Sequence, residues 1–146
     1  MTGIDTSVLF AAVVAGGPRH AAAAEFVRSA HEDDDVAISE LLLLELYCLL
    51  RNPAVVAKPA SAGAAAKVCE AFRNHPRWQL LGLPPDSRAF HDRFWPRLRT
   101  AGFARRRAFD WRVALSLQLQ GVTQFATVNV RDFRGLGFER VFNPLS

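Results

Sequence analysis

An alternation of short apolar segments with longer helical ones constrains the fold of this chain more than any other feature. The first apolar segment ends at Asp5, and a helical pattern begins directly at Thr6. Because strands that alternate with helices pair in parallel, the pattern predicts a three-layer α/β/α fold with a mostly parallel central sheet of four to five strands. The predicted strands end at residue 5 and span residues 36–38, 78–83, 123–128 and 139–142.

Length and composition predict a single domain over residues 1–146. Of the 146 residues, 50% are hydrophobic and 22% are charged, which is typical of a globular protein with a substantial core. No stretch of the chain has the composition of a linker. The predicted helices span residues 6–15, 19–30, 41–50, 61–74, 86–100 and 109–120, and residues 129–133 are predicted to form a turn.

The cysteines and the apolar segments indicate a cytoplasmic protein. Cys48 and Cys69 are not spaced as a metal-binding or redox pair, which fits a reducing compartment. The amino-terminal segment lacks the basic and apolar regions of a signal peptide. The most apolar stretch, residues 41–50, is interrupted by Glu45 and is too short to span a bilayer, so we expect no membrane interaction.

The net charge of +4 leaves two interpretations open. Nearly all the basic residues are arginines, since Lys58 and Lys67 are the only lysines. A planar guanidinium suits phosphate groups, so the positive excess is compatible with a polyanionic partner. A composition rich in alanine, arginine and leucine, set by the genome rather than by function, explains the charge equally well.

Asp5 is the first candidate functional residue. It lies at the carboxyl end of the first predicted strand, where open α/β sheets place their ligand sites. Thr6 and Ser7 follow it, and all three residue types are also preferred as helix caps. Taken alone, the capping role is the stronger interpretation, so the functional one depends on other acids reaching the same place.

Glu45 stands alone among apolar residues in the segment 41–50, with no opposite charge within one helical turn. A helix that is apolar on almost every side is expected to be largely buried. An ionised carboxylate is costly there unless it has a partner or a metal ion. The alternative is a narrow exposed stripe that Glu45 shares with Glu40 and Arg51.

Two further candidate acids, Asp110 and Asp132, lie in the last third of the chain. Asp110 begins the predicted helix 109–120, where it would interact favourably with the helix dipole or act as a cap. Thr127, Asn129 and Asp132 follow the fourth predicted strand, so we expect them at its carboxyl end, near Asp5. Asn129 and Asp132 are also ordinary turn residues.

The predicted topology brings these acids to one edge of the sheet. Clustered carboxylates repel each other, and some stay protonated at neutral pH unless a cation binds. Hard oxygen ligands favour Mg²⁺ or Mn²⁺. No histidine or cysteine group with zinc spacing competes, since the histidines are scattered along the chain. They are His20, His31, His75 and His91.

Taken together, these segments resemble the PIN-domain ribonucleases, and within them the VapC toxins of type II toxin–antitoxin systems. The resemblance extends over nearly the whole chain, although residues 54–107 carry no motif. It rests on Asp5-Thr-Ser-Val-Leu9, on Glu45-Leu-Tyr47, on Asp110 at the start of a helix, on Thr127-x-Asn129-x-x-Asp132-Phe133, and on the closing Asn143-Pro144.

The resemblance implies a PIN-like fold and a metal-dependent endoribonuclease that uses Mg²⁺ or Mn²⁺ to hydrolyse phosphodiester bonds, with tRNA or rRNA as the expected substrate. It implies that the catalytic residues and metal ligands are Asp5, Glu45, Asp110 and Asp132, with Asp5 and Asp110 as the best ligand candidates. It implies that Thr6 or Ser7, together with Thr127 and Asn129, orients this acidic pocket. Trp111 departs from the family pattern, which usually has a small residue after Asp110.

The resemblance also implies partners. It suggests a homodimer and a cognate VapB-type antitoxin that inserts an arginine or a helix near the pocket, with DNA bound only through the antitoxin. From the residues themselves, the run Arg105, Arg106 and Arg107 before Asp110 is a candidate RNA-binding surface, within a basic segment 88–107 that also carries aromatic residues. The alternative is a solvated helix face with its aromatic residues packed inward.

Three other functions remain as alternatives. A housekeeping PIN-domain nuclease for RNA processing would differ from a toxin in having no small antitoxin reading frame just upstream. A non-catalytic α/β interaction module would lose nothing when Glu45 is replaced by Gln. A phosphatase with an aspartyl nucleophile fits less well, because Ser7 stands where that chemistry usually has a second acid.

Overall fold

The central sheet has five strands in the computed structural model, which describes residues 1–146. The strands are β1 (Thr2–Ile4), β2 (Val36–Ser39), β3 (Gln79–Leu81), β4 (Gln124–Ala126) and β5 (Arg140–Phe142). They lie in the order β3-β2-β1-β4-β5, and all four neighbouring pairs are parallel. This architecture confirms the predicted α/β fold with its mostly parallel sheet of four to five strands.

Seven helices connect the strands. One difference from the sequence-based expectation lies at residues 129–133, where a turn was predicted. A short helix forms instead, because the Arg134 amide donates to the Val130 carbonyl at 2.9 Å and closes a helical turn. The helices are α1 (Thr6–Val13), α2 (His20–Ala30), α3 (Glu40–Leu50), α4 (Ala62–Arg73), α5 (Ser87–Leu98), α6 (Ala108–Gln118) and α7 (Val130–Phe133), and a 3₁₀ turn spans Arg105–Arg107.

Side-chain caps fix where three helices begin. Ser39 accepts a hydrogen bond from the Leu41 amide at the start of α3. Ser61 does the same for α4, and Asp86 for α5. Each side chain satisfies a backbone N–H that has no partner within its helix. Ser39 is also the last residue of β2, so the strand passes directly into α3.

Two hydrophobic clusters cover the two faces of the sheet. Successive residues of a strand point to opposite faces, so Ala37 belongs to one cluster and Ile38 to the other. Helices α5 and α6 contribute to the first cluster, and α1 to α4 supply much of the second. Gly3 of β1 leaves room for the first cluster, since a Cβ there would lie 3.1 Å from side-chain atoms of Phe125 and of Val122.

Helix α3 is less buried than its sequence predicts. Leu46 and its neighbours on one face pack against α1 and α4, but Leu41, Leu44 and Glu45 are exposed. The expectation of a largely buried α3 is therefore wrong, because only one side of this helix meets other elements. No helix in the structure combines the length and apolar character needed to cross a membrane.

We predict that Leu46→Ala lowers the free energy of unfolding by about 2–5 kcal/mol, because it leaves a cavity in the core. Leu46 is 0% exposed, whereas Leu44, on the same helix, is 59% exposed. Leu44→Ala is the matched control and should change the free energy by less than about 0.5 kcal/mol. Urea denaturation measures both. Equal losses in the two variants would contradict the burial assigned to α3.

Candidate active site

A cavity of about 620 Å³ opens at the carboxyl ends of β1 and β4, and all four acids singled out from the sequence line it. Strand order explains the proximity of Asp5 and Asp132, since β1 lies next to β4 in the sheet. The other two acids come from the helices α3 and α6. The four are Asp5, Glu45, Asp110 and Asp132.

Asp5 is the most buried of these acids, with 4% of its surface exposed. Its Oδ2 atom accepts hydrogen bonds from Ser7 Oγ at 2.6 Å and from Thr127 Oγ1 at 2.7 Å. The two hydroxyls are held in turn by backbone amides, with Val128 N donating to Ser7 and Asn129 N donating to Thr127. This network joins the end of β1 to the end of β4 and fixes the orientation of the carboxylate.

The capping role that Asp5 alone suggested is weak in the structure. Asp5 precedes α1 with extended backbone, as an N-cap does, but its side chain makes no capping hydrogen bond. The amides of Thr6 and Ser7 lie close enough to the carboxylate to lower its pKa somewhat. The well-formed hydrogen bonds of Asp5 come instead from the hydroxyls of Ser7 and Thr127, whose side chains orient it toward the cavity.

Thr6 links α1 to α3. Its Oγ1 donates to the Leu42 carbonyl at 2.7 Å and lies 3.4 Å from Glu45 Oε2. Both contacts hold the first turn of α1 against α3, the helix that carries Glu45. Because Thr6 is 1% exposed, its hydrogen bond to the Leu42 carbonyl is shielded from water. Thr6 directly follows Asp5 in sequence, so its contacts with α3 position Glu45 relative to Asp5.

Arginines surround Asp132. Arg106 Nη1 lies 3.1 Å from Asp132 Oδ1 in an ion pair. The Arg107 guanidinium donates to the Asp132 carbonyl from Nε at 3.0 Å and from Nη2 at 2.9 Å, and to the Arg134 carbonyl at 2.7 Å. Arg107 thus ties the 3₁₀ turn to α7, a structural role that the sequence did not indicate. Arg105 is exposed and forms no ion pair in the structure.

Burial raises the pKa of three of the four carboxylates, and repulsion between carboxylates adds to the increase in two of them. Loss of hydration raises the pKa of Asp5, although its hydroxyl partners oppose the change. The pKa of Glu45 is raised by loss of hydration and by the charges of Asp5 and Asp110. The pKa of Asp110 is raised by loss of hydration and by the charges of Asp132 and Asp5, with partial relief from Arg107 and Arg106. The acids therefore interact electrostatically across the cavity.

The donor set fits a partly hydrated cation better than a closed metal cage. No three His, Cys, Asp or Glu side chains come close enough together to hold one metal ion. Every charged group in the cavity lining is a carboxylate, however, and three of them are destabilised by burial or by each other. Mg²⁺ usually keeps several water ligands and needs only one or two carboxylates. The cavity satisfies that requirement.

An apolar rim, which the sequence did not reveal, completes the cavity. We define it as Leu41, Leu44 and Phe109, which line the cavity and are 39%, 59% and 79% exposed. The leucines were hidden in a run that suggests a buried helix. Trp111, the departure from the family pattern, lies elsewhere: it is buried, and its Nε1 donates to the Phe94 carbonyl at 3.0 Å.

The remaining residue singled out from the sequence is Asn129. It lines the cavity and is exposed, and its backbone amide donates to Thr127 while its side chain makes no hydrogen bond within the protein. Its amide group is therefore free to meet a ligand.

Comparison with known proteins gives consistent results. The model of the PIN-domain family matches residues 4–90. Ribonuclease VapC24 of Mycobacterium tuberculosis, in the strains CDC 1551 / Oshkosh and ATCC 25618 / H37Rv, is 44% identical over 146 residues, which cover 100% of this chain and 98% of the relative.

Two solved structures share the fold. VapC20 of Mycobacterium tuberculosis, a toxin that cleaves the sarcin–ricin loop, superposes with a TM-score of 0.69 at 20% identity, covering 94% of this chain and 96% of the other. FitAB bound to an IR36 DNA fragment gives a TM-score of 0.66 at 17% identity, covering 100% and 96%. At these identities the likeness concerns the fold alone.

We predict that Glu45→Gln stabilises the protein at neutral pH. Because the pKa of Glu45 is raised in the folded state, the folded protein binds more protons than the unfolded chain between the ordinary and the raised pKa. The free energy of unfolding of the wild type therefore falls as the pH rises through that window. The variant lacks this loss, so its advantage should grow from acidic to neutral pH in urea denaturation.

Glu70→Gln provides the control for this comparison, because Glu70 is exposed on α4 and lies outside the acidic cavity. It should show no comparable pH-dependent gain. If Glu45→Gln is less stable than the wild type at neutral pH, the repulsion assigned to the cavity is wrong.

Proposed function

The chain belongs to the PIN-domain family, and from that premise we propose that it is a divalent-metal-dependent endoribonuclease, the toxin component of a VapBC-type module. The observation that carries the proposal is the single cavity lined by four carboxylates, one of them buried and held by two hydroxyls. The 44% identity to a ribonuclease over the full chain supports the same reaction class.

Asp5 and Asp110 are the proposed ligands of Mg²⁺ or Mn²⁺, with Glu45 and Asp132 at the edge of the same space. A bound divalent cation supplies Lewis-acid chemistry, stabilising negative charge on the phosphate and easing deprotonation of the attacking water. Burial and neighbouring carboxylates raise the pKa of Glu45 and of Asp110, so both acids would be stabilised in their ionised form by a positive charge beside them. Asp132 is the weakest ligand candidate, because Arg106 already neutralises part of its charge.

The other side chains position these groups. Ser7 and Thr127 hold Asp5 Oδ2, so the second carboxylate oxygen is the one that remains for a cation. Burial and the charges of Asp5 and Asp110 raise the pKa of Glu45, which makes its carboxylate a stronger base toward a neighbouring water. Thr6 keeps Glu45 beside Asp5 through its contacts with α3.

RNA is the proposed substrate, with tRNA or rRNA as the expected class. Four carboxylates alone would repel a phosphate backbone, so cations must compensate. Arg105 is exposed in the 3₁₀ turn that precedes α6, the helix of Asp110, and is free of ion pairs, while Arg106 is exposed beside Asp132. We assign these two arginines to the RNA backbone, whereas Arg107 is engaged with backbone carbonyls and serves the fold.

A cognate antitoxin is the proposed protein partner. The apolar rim exposes large side chains directly beside the acids, and exposed apolar groups of this kind mark protein interaction sites. An antitoxin that covers the rim would block access to the acidic cavity. The family also leads us to expect a homodimer, which light scattering coupled to size-exclusion chromatography measures.

We predict that the purified protein cleaves tRNA or rRNA with Mg²⁺ or Mn²⁺ and that EDTA abolishes the cleavage. Asp5→Asn and Asp110→Asn should each lower the rate by about a hundredfold or more, because each removes a charged oxygen ligand. Gel-resolved cleavage assays measure the rates, and circular dichroism tests whether each variant is folded. Asp92→Asn, an exposed acid of α5 outside the cavity, should retain wild-type activity.

Two results would contradict the proposed reaction. One is undiminished cleavage by the folded Asp5→Asn protein, which would show that this carboxylate takes no part in the reaction. The other is full cleavage by the wild type in EDTA.

We also predict that Arg105→Gln lowers the salt dependence of RNA binding. Each lost phosphate contact should reduce the slope of log K against log salt by about 0.7 for a single strand. Fluorescence anisotropy in the Asp5→Asn background measures binding without cleavage. Arg28→Gln is the control, since Arg28 lies in α2 and pairs with Glu25. An unchanged slope in Arg105→Gln would exclude this arginine from the RNA interface.

A further inference from the structure

A second cavity, of about 410 Å³, adjoins the acidic one. The two share the lining residues Ser7, Leu49 and Asn129, so they form one continuous depression on either side of the Asp5 network. The second cavity lies between α1, the start of α2 and the loop after α3. Its volume is within the range of about 300–1,000 Å³ that is usual for small-ligand sites.

The walls of the second cavity are mainly apolar and carry no acid. Helix α1 contributes Phe10, Ala11 and Val14, and the opposite side is formed by Val55 and Val128. Phe10, Val14 and Val128 are partly buried against the hydrophobic core, which limits their freedom to move. The apolar lining of the second cavity contrasts with the four carboxylates of the adjoining acidic cavity and suits a flat, uncharged group.

Polar groups are present at the margin. His20 Nδ1 lies 3.0 Å from the Ala11 carbonyl, and since a carbonyl oxygen only accepts, Nδ1 is the protonated nitrogen. In the neutral ring Nε2 is then a hydrogen-bond acceptor. The Arg19 side chain is exposed and makes no ion pair or hydrogen bond within the protein, and the Asn129 side-chain amide is likewise unused. The margin thus offers a cation, an acceptor and an amide.

We propose that the second cavity binds an unpaired RNA base next to the phosphate that is cleaved, and that it thereby selects the nucleotide at the cut. This inference rests on the proposed nuclease function. Single-stranded RNA is recognised by apolar and aromatic surfaces that receive the base and by polar groups that read its edge. Phe10 and the valines provide the surface, while His20 and Asn129 provide the polar groups.

Continuity and charge favour RNA as the occupant. A strand whose phosphate lies in the acidic cavity has its neighbouring base directly beside Ser7 and Asn129, at the entrance to the second cavity. Arg19 also lines the second cavity, and its exposed side chain has no partner in the protein, so its guanidinium is available to a neighbouring phosphate. A side chain of a protein partner is the competing occupant, and the experiment below distinguishes it.

Ala11→Leu fills the second cavity without touching the lining of the acidic one. In the Asp5→Asn background, which separates binding from cleavage, we expect it to weaken binding of at least one short homopolymeric RNA by about tenfold. His20→Ala removes a polar group and should shift the preference among the four homopolymers. Ala66→Leu on α4, outside both cavities, is the matched control and should bind like the parent.

Cleavage provides the second test. Once the cleavage site in wild-type RNA is mapped, an abasic nucleotide on one side of it should lower kcat/KM by about tenfold. In Ala11→Leu the same abasic substitution should have little further effect, because the base no longer has a cavity to enter. Equal losses from the abasic nucleotide in the wild type and in the variant would overturn the proposal.

Other outcomes are equally decisive. Unchanged homopolymer binding by Ala11→Leu and His20→Ala would overturn the proposal even if the nuclease is active. A variant that binds RNA normally but escapes inhibition by the antitoxin would assign the cavity to a protein side chain instead. Absence of any RNA cleavage by the wild type would refute the proposed function. The homopolymer binding comparison would still test whether this cavity binds an RNA base.

Discussion

The buried carboxylate of Asp5 and the two hydroxyls that donate to it are the interaction on which the rest of the site depends. Ser7 and Thr127 come from opposite ends of the chain, so this contact joins the ends of the two central strands β1 and β4. It supplies hydrogen bonds that an ionised group needs when it is removed from water. The same contact fixes where the carboxylate points, which in the proposed function is toward the cation.

A cavity lined by acids lowers the stability of the folded protein, and this effect is visible in the pKa values of the carboxylates. Burial raises the pKa of Asp5, and burial together with repulsion from neighbouring carboxylates raises the pKa of Glu45 and of Asp110. The hydroxyls of Ser7 and Thr127 oppose the shift at Asp5, and the charges of Arg107 and Arg106 oppose it at Asp110. A destabilised group of charges in an otherwise well-packed domain is typical of a functional site, where activity is retained at the expense of stability.

Sequence patterns predicted much of the fold for physical reasons. Alternating apolar segments placed the five parallel strands, and Ser39 and Asp86 cap helices close to where their patterns begin. The sequence patterns did not predict features that depend on contacts between distant segments, such as the burial of a helix face or the partner of a side chain. The exposed face of α3 depends on which sides meet α1 and α4. The role of Arg107 depends on a carbonyl 25 residues away in sequence. The second cavity is formed by three segments that are distant in sequence, so no local sequence pattern predicts it.

The central claim is that the acidic cavity binds a divalent cation through Asp5. Titration of Mn²⁺ into the protein at several pH values, followed by electron paramagnetic resonance, tests it most directly. The wild type should bind Mn²⁺, with an affinity that falls as the pH is lowered, since burial raises the pKa of Asp5 and Asp110 and both carboxyls must be ionised to act as ligands. The folded Asp5→Asn protein should bind far more weakly. Equal Mn²⁺ binding by the two proteins, or no binding by the wild type, would contradict the central claim.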